Sequence, residues 1–567
     1  MQDNGFDTLG NVIKQKVYYF ENIEAMKNCL ELLQNDVVQT LGYYEKNDGG
    51  QGLYRIVNDN GLVDDGGSVH TLDNGLKAKL IIENDTVNIK QFGAKADLDT
   101  FDNANAFINS SKVAKNVLVP AGNYYVGENI TLESDTTLEF MENAIATKIP
   151  TEESLYRMFD MFRVENVTIK NAKIVGDMSN HLGTSGEYGY PIYIAESENV
   201  SILNCDISEA WGDGVYIGLR YMSNPQKTTK NITVDNCYLH NNSRNGLTIG
   251  TGNNITIKNT KITDTNRVSP QAGIDIEIEN DEAENLYLSN ILLENLILEN
   301  NYLGINLNLN KLSNATNINN ISYRNITLNN CNYAITYYGG NPAGLLNIEN
   351  ITIDNYDCPF YFIKKGENLE TNISNINILN KNSQLSDDHF NSIFAFAGTD
   401  DYSFGNININ NVLINNYAFL KRFMSGLRQT SGTTTTINNI TIQNVNANNL
   451  INYLLFTNIA NINLFNCNFE FLASTTQEIS QYAFMNNLKF NNLSAYTQCT
   501  ISAKIPDGFY KIRLLNRNSS NLLINFVSSF IVSGLTTNNQ ITFDKNGSSI
   551  EFYKSGNNII VSNLQGI

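Results

Sequence analysis

Along most of this chain apolar residues alternate with polar ones, and the alternation is punctuated by asparagine. From residue 166 the pattern Asn, apolar, any, apolar, any, Asn recurs, beginning at Asn166, Asn199, Asn231, Asn254, Asn290, Asn320, Asn350, Asn375, Asn406, Asn439, Asn461 and Asn487. Successive copies lie 22 to 36 residues apart, with no helical spacing between them. A period of two within each copy predicts a strand that turns one face inward. One such strand cannot bury its apolar face alone, so the copies must stack, which predicts a parallel β-solenoid of about twelve coils. Asparagine tolerates left-handed backbone and bonds to nearby peptide groups, so the framing residues read as corners. Stacked in register, they can form amide ladders.

The pattern divides the chain at both ends. Residues 1–88 read as a small N-terminal module, with helical spacing over Glu21–Leu33 and a tight hairpin around Asp48-Gly49-Gly50. Residues 89–496 carry the solenoid. Residues 497–567 return to short alternating strands split by Asp-Gly, Asn-Gly and Ser-Gly turns, a small antiparallel β-domain that closes the solenoid, serves assembly or binds glycan.

Three segments can be written one under another: Asp213-Gly-Val-Tyr-Ile-Gly218, Asn245-Gly-Leu-Thr-Ile-Gly250 and Ala272-Gly-Ile-Asp-Ile-Glu277. The aliphatic positions face inward. Asp213 and Tyr216, Asn245 and Thr248, and Asp275 and Glu277 are then expected to face outward, which gathers three carboxylates on one outer face. Rungs about 4.8 Å apart would put Asp213 roughly 10 Å from the other two, and Asp275 about 6.5 to 7 Å from Glu277. Both spacings suit inverting glycoside hydrolysis better than retaining hydrolysis. Like charges held this close would raise one pKa and supply an acid near neutrality.

The neighbouring residues extend the picture. Tyr193 and Tyr216 are expected at equivalent positions on successive coils, and Trp211, the only tryptophan, lies two residues before Asp213. Flat aromatic faces beside carboxylates suit sugar rings. Arg220, Arg244 and Arg267 are three of eleven arginines and fall in or beside this stretch, where they bind an anionic substrate or pair with the local acids.

Composition narrows the partners. A net charge of -19 argues against nucleic acid. No basic leader and no apolar run of about 18 residues is found, so the expectation is a soluble chain made in a cytoplasm, without membrane insertion. The seven cysteines show no metal-ligand spacing, and Cys205, Cys237 and Cys467 each follow an asparagine of the repeat, as stacked buried thiols would. Only His240 of the four histidines lies in the central stretch, so no zinc site and no cofactor are expected. The acidic run Glu279, Asp281, Glu282 and Glu284 reads as a solvated turn, with calcium the alternative.

Residues 87–132 resemble the opening of the pectate-lyase-like right-handed β-helices of phage tailspikes. The resemblance is carried by Phe92-Gly93-Ala94, the turn residues Asp97, Asp99 and Asp102, a short helix over Ala104–Ser110, and Val119-Pro120-Ala121-Gly122-Asn123-Tyr124. Gln271-Ala-Gly-Ile-Asp-Ile-Glu277 after Pro270 is similar to a signature of phage and bacterial β-helix depolymerases. The polygalacturonase pattern is only partly present, since Asn245-Gly246-Leu247 stands where that family has Gly-His-Gly. The resemblance implies an all-β chain: a right-handed parallel β-helix flanked by the two small modules. It implies a homotrimeric tailspike depolymerase of the virion tail, attached to tail or baseplate proteins through its N-terminal module. Its target would be a bacterial surface glycopolymer: exopolysaccharide, capsule or wall teichoic acid. Carboxylate-mediated hydrolysis leads; β-elimination on the same scaffold and a non-cutting adhesin stay open.

Overall fold

The asparagines are corners. In the computed structural model Asn166, Asn199, Asn231, Asn254, Asn290, Asn320, Asn350, Asn375 and Asn406 all hold left-handed backbone, with φ between 54° and 59°. The structure describes residues 5–6, 12–13, 16–221, 223, 227–265, 267–278, 288–311, 318–339, 342–383, 385–386, 390–397, 402–415, 419–420, 422–426, 435–450, 454–455, 458–459, 462–465, 468–472, 487–491, 497–501, 508–516, 522–526, 531–534, 539–545 and 547–566. The chain divides into two compact units, one of Met1–Thr248 with Asn259–Lys261, the other of Ile249–Lys258 with Ile262–Ile567.

In the first unit each coil has three short strands. One coil runs Glu165–Lys170, Lys173–Val175 and Tyr188–Ala195, and the next runs Glu198–Leu203, Asp206–Ser208 and Val215–Gly218. They pair in parallel, with Val167 on Val200, Ile169 on Ile202, Ile174 on Ile207 and Ile192 on Val215. All eight side chains are fully buried. Alternation in sequence thus becomes aliphatic columns in the core, each buried side chain contributing roughly 1.5–3 kcal/mol. Outside the core the amide groups form ladders. Asn199 Nδ2 donates to Asn166 Oδ1 (2.9 Å) and Asn231 to Asn199 (2.9 Å), while Asn204 donates to Asn171 (3.2 Å) and Asn236 to Asn204 (2.9 Å).

Asn204, with φ of 55° and both ladder bonds, tests this device. Replacing it with Ala forces a Cβ with no amide into left-handed backbone and breaks two exposed hydrogen bonds. Denaturant unfolding should show a loss of about 1–2 kcal/mol. Asn204→Gly, which removes only the ladder, should recover part of it.

A helix caps one end of the first unit. The helix Ala104–Val113 buries Phe107 edge-on against Tyr124 and Phe159, over the end of the aliphatic columns. Asp102 Oδ1 accepts from the Ala104 and Gly127 amides (3.0 and 2.8 Å), and Asp97, itself left-handed, accepts from the Asn123 amide at 3.0 Å. These two are turn and capping residues.

The N-terminal module is a five-stranded sheet ordered Val17–Phe20, Val37–Thr40, Leu53–Val57, Lys77–Leu80 and Val69–Thr71. Its helix is much shorter than the spacing predicts, Ile23–Lys27. Only Ile23 and Met26 are buried on it, Asn28 caps its end, and Leu30 and Leu33 are each 67 % exposed. The hairpin is present between Val37–Thr40 and Leu53–Val57, but its connection is long rather than tight. Asp48 organises that connection by accepting from the amides of Tyr43, Tyr44, Glu45 and Gly50. Strand Thr86–Asn88 already pairs in parallel with Asn116–Val119, so solenoid pairing begins slightly before residue 89.

The strands of the second unit also pair in parallel but are longer, and they correct the phase of the repeat. Leu288–Glu299 and Ile318–Asn329 each span two asparagine-framed segments. Asn350 therefore stacks on Asn325 (3.0 Å), not on Asn320, and Asn411 stacks on Asn375 (2.8 Å), not Asn406. Two corner columns five residues apart obey one pattern, so sequence spacing alone superimposes them. Beyond residue 497 the sheet is mixed rather than antiparallel. Gly508–Asn516 pairs in parallel with Asn487–Asn491 and antiparallel with Ser549–Ser555, and Thr497–Ile501 pairs in parallel with Leu522–Phe526. Cys205 and Cys237 are buried, adjacent and unoxidised, as expected; Cys467 lies outside the described residues.

Candidate active site

The predicted carboxylates fall in different units: Asp213 in the first, Asp275 and Glu277 in the second. Asp213 and Tyr216, three residues apart, cannot share a face of one regular strand. The strand begins at Val215, so Asp213 lies in the turn ahead of it and its side chain is free to bend toward Thr248. Glycine makes that turn possible: a Cβ on Gly214 would stand 2.6 Å from Asn242 Nδ2 and 2.7 Å from the Gly246 carbonyl.

Asp213 is fully buried, not displayed. Arg244 Nη1 lies 3.1 Å from its Oδ2 and 3.4 Å from its Oδ1, and Thr248 Oγ1 donates to Oδ2 at 2.8 Å. Asn245 Nδ2 in turn donates to Thr248 Oγ1 at 3.0 Å, and Glu187 stands 4.0 Å from Arg244 Nε. Burial pushes the Asp213 pKa up; Arg244 and the two hydrogen bonds pull it down, and burial prevails.

In the second unit the strand Ala272–Glu277 carries Asp275 and Glu277 on one face. Asp275 is fully buried and accepts from Asn306 Nδ2 at 2.8 Å, and Asn306 Oδ1 accepts from Thr336 Oγ1 at 2.6 Å. Glu277 is half-buried and accepts from Asn308 Nδ2 at 2.8 Å. The register sets both contacts, since Asp275 lies beside Asn306 and Glu277 beside Asn308. Neither asparagine belongs to the corner columns, and nothing in the linear pattern distinguished them.

The aromatic and basic residues behave differently from the sequence expectation. Tyr193 and Tyr216 do occupy equivalent positions on successive rungs. Their rings stack on each other, 4.8 Å apart and 6° from parallel, with both hydroxyls donating to the Leu219 carbonyl and both residues only 4 % exposed. They are packing partners, not an open sugar platform. Trp211 is buried against the His181 ring, at 3.9 Å and 15°, and His181 Nδ1 lies 2.8 Å from Asp177. Arg220 pairs with Asp160 and covers the ring of Phe162 at 3.8 Å, while Arg267 is exposed. Tertiary packing rather than any local motif supplies Glu187, Asp160 and His181.

Among the described residues no group of three or more His, Cys, Asp or Glu converges to hold a metal ion. Glu279, Asp281, Glu282 and Glu284 lie outside the described residues. No helix among the described residues is long and apolar enough to cross a membrane.

The family model described as a right handed beta helix region matches residues 100–285 and 192–378. The chain is a right-handed parallel β-helix. Two curated relatives of this β-helix come from Bacillus subtilis (strain 168). The protein YclG is 27% identical, over 34% of this chain and 38% of its own length; the SPbeta prophage-derived protein YorA is 28% identical, over 28% and 32%. The β-helix thus spans about a third of each relative's length. Among solved structures it is similar to the tailspike gp49 of Acinetobacter baumannii bacteriophage Fri1, a capsular polysaccharide depolymerase. That match has a TM-score of 0.48 and 15% identity, and covers 78% of this chain and 75% of the other.

Proposed function

We propose that this β-helix is a phage tail depolymerase that cleaves a bacterial surface glycopolymer by hydrolysis. The observation that carries the reading is the pair Asp275 and Glu277, alternate residues of one strand on one face, each fixed by an asparagine of the next strand. Two residues of extended chain span about 6.5–7 Å. That spacing fits the interval in which one carboxyl protonates the leaving oxygen while the other activates a water, the geometry of inversion. The longer, half-buried Glu277 is assigned as the acid and the buried Asp275 as the base. The prophage origin of one relative supports the tail assignment, as does the tailspike-like opening at Phe92. A homotrimer docked to tail or baseplate proteins through the N-terminal module completes the proposal.

Incubating purified protein with capsular, biofilm and teichoic polymers and analysing the products by mass spectrometry tests it. Hydrolysis should release oligosaccharides heavier by one water than the unsaturated products of elimination. Release of unsaturated ends would make the protein a lyase, and intact polymers that nevertheless bind would make it an adhesin.

A further inference from the structure

On the first unit's outer face the strand Leu155–Phe162 lies beside Tyr188–Ala195, which lies beside Val215–Gly218. Their register places Asp160, Tyr193 and Tyr216 in one column and Phe162 beside Ala195. Three arginines gather on this column. Arg163 Nε is 2.9 Å from Glu196, Arg220 pairs with Asp160, and the Arg157 guanidinium sits 4.5 Å above the Tyr193 ring. The first two each have a carboxylate partner. Arg157 has no ion pair among the described residues, though its charge, like that of Arg220, is felt at Asp160.

The two carboxylates are already committed. Glu196, whose side chain is fully buried, accepts from Arg163, from the amides of Arg220 (3.4 Å) and Lys227 (3.3 Å), and from Ser223. Asp160, 7 % exposed at its side chain, holds Arg220. Three guanidinium groups against two carboxylates leave one positive charge over, on a chain whose net charge is -19. The Nε groups of Arg157 and Arg220 are both buried without a hydrogen-bond partner among the described residues. A half-exposed guanidinium without an ion pair of its own is stabilised by an incoming oxyanion. Stacking on Tyr193 and Phe162 fixes the planes of Arg157 and Arg220, so their forks are set for two-pronged contact.

We infer that Arg157 and Arg220 form a subsite for an oxyanion carried by the glycan, a sugar carboxylate or a phosphodiester. The inference rests on the depolymerase reading and narrows it: the polymer is acidic. Arg163 sets the loop by holding Glu196, and the Tyr193–Tyr216 stack is the rigid wall behind the arginines.

Calorimetry on the full chain with three probes tests it: an oligogalacturonate for carboxylate, an oligomeric glycerol phosphate for phosphodiester, and a neutral maltooligosaccharide. One anionic probe should bind, more weakly as salt rises, and the neutral probe should not. Arg157→Gln should weaken the anionic probe about tenfold or more. Should that variant fail to fold, Arg157→Lys, which keeps the charge and most of the packing, should still weaken binding several-fold by removing the fork. Equal binding of the neutral probe, no binding of either anionic probe, or unchanged affinity in the folded Arg157 variants overturns the subsite. Cleavage of the polymer at equal rates by the parent chain and by the folded Arg157→Gln variant would remove the subsite and leave the depolymerase standing. Binding of an anionic probe that depends on Arg157, with no polymer cleaved, would do the reverse.

Discussion

Asp275→Asn and Glu277→Gln should each lower polymer turnover by about 10²-fold or more while leaving polymer binding and unfolding transitions close to those of the parent chain. The amides keep the shape of the carboxylates and can still accept from Asn306 and Asn308, so the contacts at 2.8 Å survive. What is lost is the ability to take up or release a proton. Single-turnover release of reducing ends, measured beside binding of the intact polymer, separates the two effects. If the Asp275 variant alone is rescued by added azide or formate, Asp275 is the base and Glu277 the acid, because a small anion can replace an activator of water. Parent-like turnover in both variants would move the chemistry away from this strand.

Removing Asp213 should act on stability first. Asp213→Ala leaves Arg244, 11 % exposed at its side chain, without its buried carboxylate, and leaves the Thr248 hydroxyl without that acceptor. Breaking a buried pair on one side costs about 3–5 kcal/mol, which denaturant unfolding should register. Arg244→Ala should show a deficit that depends on pH, and its sign follows from the Asp213 pKa. The folded value lies above the ordinary one because burial prevails. A carboxyl with a raised folded pKa contributes stability that is present below its unfolded value, about 3.9, and is lost as pH rises through the folded value. Without Arg244 the folded value rises further, so the loss extends to higher pH. The variant's deficit against the parent should therefore be larger at pH 8 than at pH 5. A deficit that does not change with pH would mean that Arg244 does not set the charge state of Asp213 between pH 5 and pH 8.

These outcomes also separate what the chain's linear pattern determines from what its folding decides. Period two between framing asparagines is local: it sets which side chains face the core and which residues take left-handed backbone, and Val167, Val200 and Ile232 are buried where it places them. The buried thiols of Cys205 and Cys237 are legible from the same repeat, whereas the helix over Ala104–Val113 and the turns at Asp97 and Asp102 were expected from the resemblance of residues 87–132 to tailspike β-helices. Asp213, Asp275 and Glu277 stand out in sequence because they are the charged residues in three segments, 213–218, 245–250 and 272–277, that can be written one under another.

Depth and partnership are not local. Alternation separates the inward face from the outward one, but cannot say that the outward face is itself covered, so Asp213, Asp275, Tyr193 and Tyr216 were expected in solvent and are buried. The phase of the ladder depends on coil length, which varies too much for spacing alone to show that Asn350 sits on Asn325. Arg157 over Tyr193, Glu196 holding its loop, and Asn306 on Asp275 join residues about thirty or more apart in sequence. The sequence by itself determined the solenoid, its corners and the carboxylates it offers, because these follow from short-range periodicity. Only the tertiary structure decided which charges are buried, which are paired and which is left over, because those depend on register between coils and on the water that stacking excludes.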